Sequence, residues 1–183
     1  MTQAFNISDL TKHQAPEDLQ VTSASSRVSK NPIELIVQGT SGSDDVRGGL
    51  ANELLMGGAG NDRIVSGGGN DVMVPGAGFD ILNGGTGDDV FRFDRIGDSY
   101  IKAGSEFTDG INYFDPAHDI LDVSALGFSH LGNGYGDTLH IRSEPLRGIY
   151  FLENYEQDHN GRHFAVQFLS QRRYYRCQLA TAG

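Results

Sequence analysis

Residues 39–92 divide into six consecutive nonapeptides that share one pattern of residue types. In every unit the sixth position is acidic and the eighth is apolar. Glycine is concentrated at the second and fourth positions, and glycine accepts the positive φ angles of tight turns without a Cβ clash. A period of turn followed by a short apolar strand predicts a solenoid, in which each unit buries its apolar residue only against neighbouring units.

The charge of the chain limits its partners. The 183 residues carry a formal net charge of −10, and residues 39–92 contain eight acidic but only three basic side chains. This balance disfavours nucleic acid and anionic membranes as partners. Cys177 is the only cysteine, which excludes an internal disulfide and a cysteine metal cluster. No apolar run approaches the roughly 20 residues that span a bilayer, so membrane insertion is not expected.

The repeat follows the pattern G-G-x-G-x-D-x-U-x and resembles the calcium-binding nonapeptide of RTX proteins. The resemblance implies an all-β fold, a right-handed parallel β-roll in which two nonapeptides form one coil and alternate units stack. Residues 39–92 would then supply three coils. One sheet is expected to bury Val46, Ile64 and Leu82, and the facing sheet to bury Leu55, Met73 and Phe91.

The acidic side chains would stack in the same way, in two rows. Parallel strands lie about 4.8 Å apart, and two carboxylates at that spacing repel by roughly 3 kcal/mol at an effective dielectric of 20. A bound cation removes this repulsion. Calcium suits the rows because it takes about six to eight oxygen ligands, whereas magnesium requires a small octahedron and retains its water. An ordinary β-solenoid whose Gly and Asp turns bind no metal is the alternative.

The resemblance implies about four calcium ions, each between units that are two apart. The expected carboxylate pairs are Asp44 with Asp62, Asp62 with Asp80, Glu53 with Asp71, and Asp71 with Asp89. The turn glycines expected to contribute to these sites are Gly42, Gly58, Gly60, Gly67, Gly69, Gly76, Gly78, Gly85 and Gly87. The Glu53 position is expected to be the weakest, because Glu is longer than Asp and Ala51 replaces a turn glycine in the same unit.

Three regions are predicted along the chain. Residues 1–30 are polar and rich in Ser and Thr, which indicates a flexible arm with at most a short helix in ISDLTKHQAPEDL. Residues 31–92 combine a cap strand at 33–37 with the roll. Residues 93–183 lose the period, and their β-rich runs predict a mixed or antiparallel, sandwich-like β cap with a basic tail. These runs are FRF, GINYF, DILDV, DTLHI, GIYFLENY and HFAVQFL.

A narrower resemblance begins after the repeats, in FRFD and GDSY, then FDPAHDILDVSALGFS, LGNGYGDTL and YEQDHNGRHF. Together with the repeats, these segments of residues 39–168 resemble the R-module of secreted bacterial mannuronan C5-epimerases. The shorter pattern D-x-x-D-x-S-A-L is also similar to C-terminal domains of RTX proteases and lipases, and GFSHLGNGYGDTL favours the epimerase module. The resemblance implies a further calcium site at Asp119 and Asp122, with Asp109 as an additional ligand; solvated acids at strand ends are the alternative.

The resemblance implies a non-catalytic module that binds alginate and modulates a mannuronan C5-epimerase catalytic module in the same or another chain. Alginate is a polyanion, so its carboxylates would be bound by guanidinium or ammonium groups. For each basic residue, a solvated surface charge is the alternative. The candidates are Arg92, Arg95, Lys102, Arg142, Arg147 and Arg162.

No catalytic residue is predicted, because H-E-x-x-H and G-x-S-x-G are absent and the long β-helix of epimerase catalytic modules is missing. Two other interpretations remain, an RTX export and folding module of a protease or lipase without carbohydrate binding, and a stand-alone epimerase. The resemblance further implies a monomer secreted by a type I route without an N-terminal signal peptide. Extracellular calcium, at roughly 0.1–1 mM, would then fold it.

Overall fold

The structure is a computed structural model. It describes residues 4–5, 21–22, 32–103, 105–115, 117–128, 130–144 and 149–169. Arg147, the predicted helix in residues 7–19 and the basic tail lie outside these described residues. Within them, no helix is long and apolar enough to cross a bilayer.

Two sheets contain most of the described chain. In the first sheet, five parallel strands lie side by side, and two short antiparallel strands follow at one edge. In order across the sheet, these are β3 (Leu35–Gln38), β5 (Glu53–Ala59), β7 (Val72–Ala77), β9 (Val90–Arg92), β13 (Ile120–Asp122), β1 (Ala4–Phe5) and β2 (Val21–Thr22).

The second sheet begins parallel and ends mixed. Its strands in order are β4 (Asp45–Arg47), β6 (Arg63–Val65), β8 (Ile81–Asn83), β12 (Gly110–Asn112), β17 (Arg162–Leu169), β16 (Ile149–Glu153), β15 (Thr138–Glu144) and β14 (His130–Leu131). A hairpin of β10 (Tyr100–Lys102) and β11 (Ser105–Phe107) pairs with β17. One 3-10 turn, Ser124–Leu126, follows β13.

The parallel β-roll and its predicted core rows are confirmed. Each strand of the repeats pairs in parallel with the strand 18 residues later, so that Val46 stacks on Ile64 and Leu55 on Met73. Five of the six predicted core side chains are fully buried and Val46 is 5% exposed. The predicted first strand is present as β3, which pairs with β5 and covers Leu55 with Val37.

Both sheets continue beyond the repeats. β12 pairs in parallel with β8, and β13 with β9, which stacks Ile111 on Leu82 and Leu121 on Phe91. These pairs are separated by 29 and 30 residues instead of 18. A fourth coil without the nonapeptide pattern is therefore built onto the roll. Neither sheet breaks at Arg92, and the division of the chain into domains at that point stays a prediction.

The cap shares the core of the roll. Phe114 connects them, since its ring centroid lies 5.7 Å from that of Phe91 and 5.1 Å from that of Phe168. Phe93, Phe128 and Phe164 extend the same buried cluster. The cap strands predicted from the β-rich runs are present, whereas the β10–β11 hairpin was not predicted, because its short strands lack a clear alternation.

Candidate calcium sites

The coils stack closely at their turns, which requires glycine. Gly60 has a φ of 109°, and a Cβ placed on it would lie 2.6 Å from the carbonyl carbon of Gly42 in the preceding coil. Seven further turn glycines of the repeats have positive φ. Gly42 does not, and it lies exposed in the first coil. This stacking brings the acid at the sixth position of each unit directly next to the corresponding acid of the next coil.

Hydrogen bonds connect the acids of neighbouring coils into two ladders. The main-chain N–H of Asp44 donates to Oδ1 of Asp62 at 2.9 Å, and that of Asp62 to Oδ1 of Asp80 at 2.7 Å. The other ladder repeats this bond from Glu53 to Asp71 at 2.8 Å and from Asp71 to Asp89 at 3.0 Å. The structure thus brings together all four predicted carboxylate pairs.

Each ladder has a further rung outside the repeats. The Asp80 N–H donates to Oδ1 of Asp109 at 2.8 Å, and the Asp89 N–H to Oδ1 of Asp119 at 3.3 Å. Asp122 is on neither ladder, because its Oδ1 accepts the N–H of Ser124 at the start of the 3-10 turn. The structure therefore does not bring Asp109, Asp119 and Asp122 together as the resemblance implied. Asp109 precedes β12 and Asp119 precedes β13, which belong to different sheets, and Asp122 lies at the other end of β13.

Five ladder acids have a buried oxygen without a partner. Their side chains are at most 3% exposed, Oδ1 accepts the ladder bond, and Oδ2 makes no hydrogen bond. A buried carboxylate oxygen without a partner costs several kcal/mol, on the order of the burial penalty of a charge. Such atoms fit a positively charged ligand. They belong to Asp62, Asp71, Asp80, Asp89 and Asp109.

The unpartnered oxygens lie on the inner side of their own turns. A Cβ placed on Gly57 would be 2.5 Å from Oδ2 of Asp62, and one on Gly84 would collide with Oδ2 of Asp89. The glycine at the first position of these units thus leaves space beside the carboxylate. Main-chain carbonyl groups of the next coil border the same space, such as that of Pro75 next to Gly57.

Burial changes the protonation of these acids. It raises the pKa of Asp80 to about 7 and that of Asp89 to about 8, and neighbouring carboxylates add to both shifts. The pKa of Asp109 rises well above its ordinary value for the same reason. Burial also raises the pKa of Asp62 and Asp71. Without a cation, the ladders therefore favour bound protons over ionised carboxylates.

The donor atoms fit calcium. Among the described residues no three His, Cys, Asp or Glu side chains converge on one point. An ion would therefore be held by paired carboxylates, with the shell completed by main-chain carbonyls. Calcium accepts such an all-oxygen, irregular shell, whereas zinc prefers tetrahedral sites with imidazole or thiolate.

Three of the four acids at the ends of the ladders are bonded differently. Oδ2 of Asp44 accepts the N–H of Thr40 at 2.7 Å, and Oε2 of Glu53 accepts the N–H of Gly49 at 2.7 Å. Oδ2 of Asp119 accepts the N–H of Asp115 at 2.8 Å. The second oxygen of these three acids has a donor from the protein, whereas Oδ2 of the five other ladder acids, Asp109 included, has none. These three positions consequently need a cation less.

The predicted basic residues occupy separate places. Arg92 lies on the first sheet and pairs with Asp94 at 3.3 Å. Arg142, on β15, donates to Glu153 at 3.0 Å and Glu144 at 2.8 Å. Both guanidinium groups are thus already paired with carboxylates. Neither lies on the β10–β17 edge, where other predicted cations meet.

Two predicted basic residues, Lys102 and Arg162, lie opposite each other at that edge, and the loop of Arg95 approaches them. Lys102 of β10 is directly opposite Arg162 of β17. The loop that carries Arg95 reaches the same guanidinium, since a Cβ on Gly97 would lie 2.6 Å from Nη1 of Arg162. Nε and Nη2 of Arg162 donate to Asp158 at 2.9 and 2.7 Å, and these hydrogen bonds lower the pKa of Asp158. Within the described residues, the Arg95 and Lys102 side chains form no salt bridge.

Two aromatic residues that the sequence did not suggest complete this surface. The rings of Tyr100 and Phe107 stack at 5.1 Å, and the Arg162 guanidinium lies 5.3 Å from the centre of the Tyr100 ring. Phe107 is 39% exposed. No sequence motif marks Tyr100 and Phe107, and the hairpin that pairs them was not predicted. We call Arg95, Tyr100, Lys102, Phe107 and Arg162 the basic–aromatic patch.

Comparison with known proteins identifies the family. The RTX calcium-binding nonapeptide repeat matches residues 38–73, 47–82 and 76–95. The solution structure of the AlgE6R2 subunit from the Azotobacter vinelandii mannuronan C5-epimerase is similar, with a TM-score of 0.64 and 41% identity over 75% of this chain and 86% of that one. The chain belongs to the RTX-repeat R-modules of mannuronan C5-epimerases. The AlgE6R3 subunit resembles this R-module equally, with a TM-score of 0.61 at 40% identity, covering 73% of this chain and 78% of that one.

Curated relatives of this R-module are much longer proteins. It is 42% identical over 77 residues to alginate lyase 7 and 47% identical over 76 residues to mannuronan C5-epimerase AlgE6, both from Azotobacter vinelandii. The matched stretch is 42% of this chain but 9% of either relative. The R-module thus corresponds to a small part of those proteins, and its RTX repeats are calcium-binding repeats.

Proposed function

We propose that this R-module is a non-catalytic module, folded by calcium, that binds alginate for a mannuronan C5-epimerase catalytic module in the same or another chain. The basic–aromatic patch is the observation that supports alginate binding best. It combines the Lys102 ammonium, which forms no salt bridge within the described residues, and the Asp158-paired Arg162 guanidinium with an exposed aromatic surface. The related R-modules belong to proteins named for alginate chemistry.

The patch has the chemistry that a uronate polymer requires. Carboxylates of the polymer would bind the Lys102 ammonium, beside the Arg162 guanidinium whose Nε and Nη2 are held by Asp158. The bond to Asp158 holds the guanidinium in one orientation, so little side-chain entropy is lost on binding. The Phe107 ring offers an apolar surface for the C–H face of a sugar.

Calcium would act on this function through the fold. β17, which carries Arg162, pairs with β12 of the fourth coil, and β12 pairs with β8 of the roll. An unfolded roll would leave β17 without this support. Alginate binding is therefore expected only at calcium concentrations that fold the repeats.

Isothermal titration calorimetry with mannuronate and guluronate oligomers at millimolar calcium tests the proposal. The Lys102→Ala and Arg95→Ala variants are expected to lose roughly tenfold in affinity each. Arg63→Ala is the matched control, because Arg63 is an exposed cation of the roll that pairs with Asp45 away from the patch. Absence of heat with every oligomer would overturn alginate binding. Proton exchange at C5 of polymannuronate by the chain alone would overturn its non-catalytic role.

The unpartnered ladder oxygens also support a second candidate, an RTX export and folding module without a carbohydrate ligand. These oxygens would bind calcium whether or not the module also binds a carbohydrate. Both candidates include secretion by a type I route as a monomer. Low cytosolic calcium would leave the carboxylates of the ladders repelling one another, and external calcium would fold the repeats. Intact calcium binding without any oligomer binding would favour this second candidate.

A further inference from the structure

Four rings meet on the outer face of the cap, and neither the calcium ladders nor the basic–aromatic patch uses them. The Tyr155 ring is central, because its centroid lies 5.6 Å from that of Tyr135, 5.6 Å from that of His140 and 6.4 Å from that of His163. Tyr135 is 56% exposed, and the other three side chains are half-buried. We call these four residues the tyrosine–histidine cluster.

The alternation of side chains along the strands separates the cluster from the patch. Phe164 is fully buried in the core, so its neighbour His163 points to the outer face of β17. Arg162, which belongs to the patch, points to the other face of this strand, where its guanidinium lies near an aromatic ring of the patch. His140 lies on the outer face of β15 for the same reason, because Leu139 is in the core. The cap thus has two separate aromatic surfaces.

Hydrogen bonds fix the main chain that carries the two tyrosines. The Tyr155 N–H donates to the Gly134 carbonyl at 2.6 Å, and a Cβ placed on Gly134 would lie 2.7 Å from Cδ2 of the Tyr155 ring. The Tyr135 N–H donates to Oδ1 of Asn133 at 3.2 Å, and the Thr138 hydroxyl donates to the Tyr135 carbonyl at 2.8 Å. Because this loop is already ordered, little conformational entropy would be lost when a ligand binds.

The polar atoms of the cluster suit hydroxyl groups. The Tyr155 hydroxyl donates to Oε1 of Glu153 at 3.0 Å, and burial raises the pKa of Tyr155 to about 12, so the hydroxyl stays protonated. Its oxygen can still accept a hydrogen bond. The imidazoles of His140 and His163 make no hydrogen bond within the described residues. A neutral imidazole offers one donor and one acceptor, and a sugar hydroxyl can use either.

The charges around the cluster disfavour a uronate polymer. Arg142 donates to Glu153 at 3.0 Å and to Glu144 at 2.8 Å, so its charge is already compensated. Asp137 and Glu156 are exposed acids that lie close in sequence to the two tyrosines. A polyanion would be repelled by this surface, whereas a neutral sugar would not.

We propose that the tyrosine–histidine cluster binds a neutral glycan of β-1,4-linked glucose or a similar hexose. The ring substituents of such a chain are equatorial, so both faces of each sugar ring present C–H groups that can pack on an aromatic ring. The exposed Tyr135 ring would support one sugar, and the Tyr155 hydroxyl and the imidazoles would bond its hydroxyl groups. This inference goes beyond the proposed function and does not depend on alginate binding. Together, the two sites would hold two different polymers on opposite faces of β17.

A titration of the wild type with cellotetraose, followed by NMR at saturating calcium, tests the inference. The amides of Tyr135, His140 and His163 are expected to shift, and those of Lys102 and Phe107 to stay unchanged. Mannuronate oligomers are expected to give the opposite pattern. Absence of shifts with cellotetraose up to roughly 10 mM, which would reveal millimolar affinity, would overturn the inference. Shifts of the cluster with mannuronate oligomers alone would assign it to alginate and would also overturn the inference.

The Tyr135→Ala variant tests the role of the cluster directly. It removes an exposed ring that is not part of the core, so the fold is expected to be retained. Its affinity for cellotetraose is expected to fall at least about tenfold, with mannuronate binding unchanged. An affinity for cellotetraose equal to that of the wild type would argue decisively against the proposed site.

The Phe107→Ala variant is the matched control, because Phe107 is an exposed ring of the basic–aromatic patch. It is expected to bind cellotetraose like the wild type and to bind mannuronate oligomers more weakly. A wild type that binds cellotetraose but no uronate oligomer would overturn only the proposed function. Uronate binding without cellotetraose binding would overturn only this inference.

Discussion

The roll and the cap both bury carboxylates but satisfy them by different means. In the cap, Glu153 is 2% exposed, and its Oε1 accepts Nε of Arg142 and the hydroxyl of Tyr155, both at 3.0 Å. In the roll, Asp80 is equally buried and its Oδ2 has no donor. The cap therefore contains its own counter-charges, whereas the roll depends on ions from the solution. Calcium dependence is expected to be concentrated in the roll.

Removal of calcium with a chelator should show this difference most strongly. At neutral pH the strands of the repeats, β4 to β9, are expected to lose hydrogen-exchange protection completely. The β15–β16 hairpin, joined by the Arg142–Glu153 pair, should retain part of its protection. Hydrogen exchange followed by mass spectrometry measures both in one sample. Equal loss of protection in hairpin and repeats would contradict the comparison.

Acid should partly replace calcium in the roll. Burial raises the pKa of Asp80 to about 7 and of Asp89 to about 8, so the metal-free fold prefers these acids protonated. Asp80 and Asp89 contribute fully to the stability of the metal-free fold below the ordinary pKa of about 4. This contribution is lost as the pH rises through 7 and 8. In the presence of chelator, the folded fraction at pH 5 should exceed that at pH 8 by at least about tenfold. Circular dichroism measures this, and a fold that weakens on acidification would contradict it.

The Gly57→Ala substitution should damage a calcium position directly. Its Cβ would lie 2.5 Å from Oδ2 of Asp62 and collide with the carbonyl of Pro75, so it would fill the space beside the carboxylate. We expect a loss of about 3 kcal/mol or more in calcium-bound stability. Gly127→Ala is the control in the cap, where φ is +80° and no atom lies within 4 Å of the new Cβ. It should cost only about 1 kcal/mol, from backbone strain. Denaturant unfolding compares the two, and equal losses would argue against a special role for Gly57.

The Arg142→Met variant should give the smallest effect and leave calcium untouched. It removes one of two donors from the buried Glu153, but the guanidinium is 37% exposed and its contribution is screened. A loss of about 1–2 kcal/mol is expected, with the wild-type number of ions. Thermal unfolding and calcium titration test both parts. A reduced ion count would show that the cap's counter-charges and the calcium sites are coupled.

Periodicity predicted a solenoid, and the resemblance to RTX proteins implied the roll with two nonapeptides in each coil. Given that coil length, the fixed acidic and apolar positions determine which residues stack, because an 18-residue register leaves each side chain over its equivalent. The same reasoning could not identify Asp109 and Asp119 as ladder acids, since insertions carry the chain 29 and 30 residues before it returns. The resemblance implied that these acids share one site, whereas the strand pairing places them beside strands of different sheets.

Which basic residues are available to bind alginate was only partly predictable, again because strand pairing decides which side chains meet. The sequence shows which residues are basic, but not which are already paired. Arg162 and Asp158 could be expected to approach across the short D-H-N-G-R turn. The pairing of Arg142 with Glu153 depends on the register of β15 and β16. The stacking of Tyr100 and Phe107 depends on a hairpin whose sequence has no clear signal.

The ladder hydrogen bonds all point in one direction along the chain. The N–H of an earlier acid donates to the carboxylate of a later one, from Asp44 to Asp62, then to Asp80 and finally to Asp109. Each coil is thus completed by the coil that follows it, and the final acid is held by cap strand β17. A chain shortened before Asp109 is therefore expected to leave the N–H of Asp80 without its carboxylate partner, and each earlier cut to expose the next N–H of the ladder.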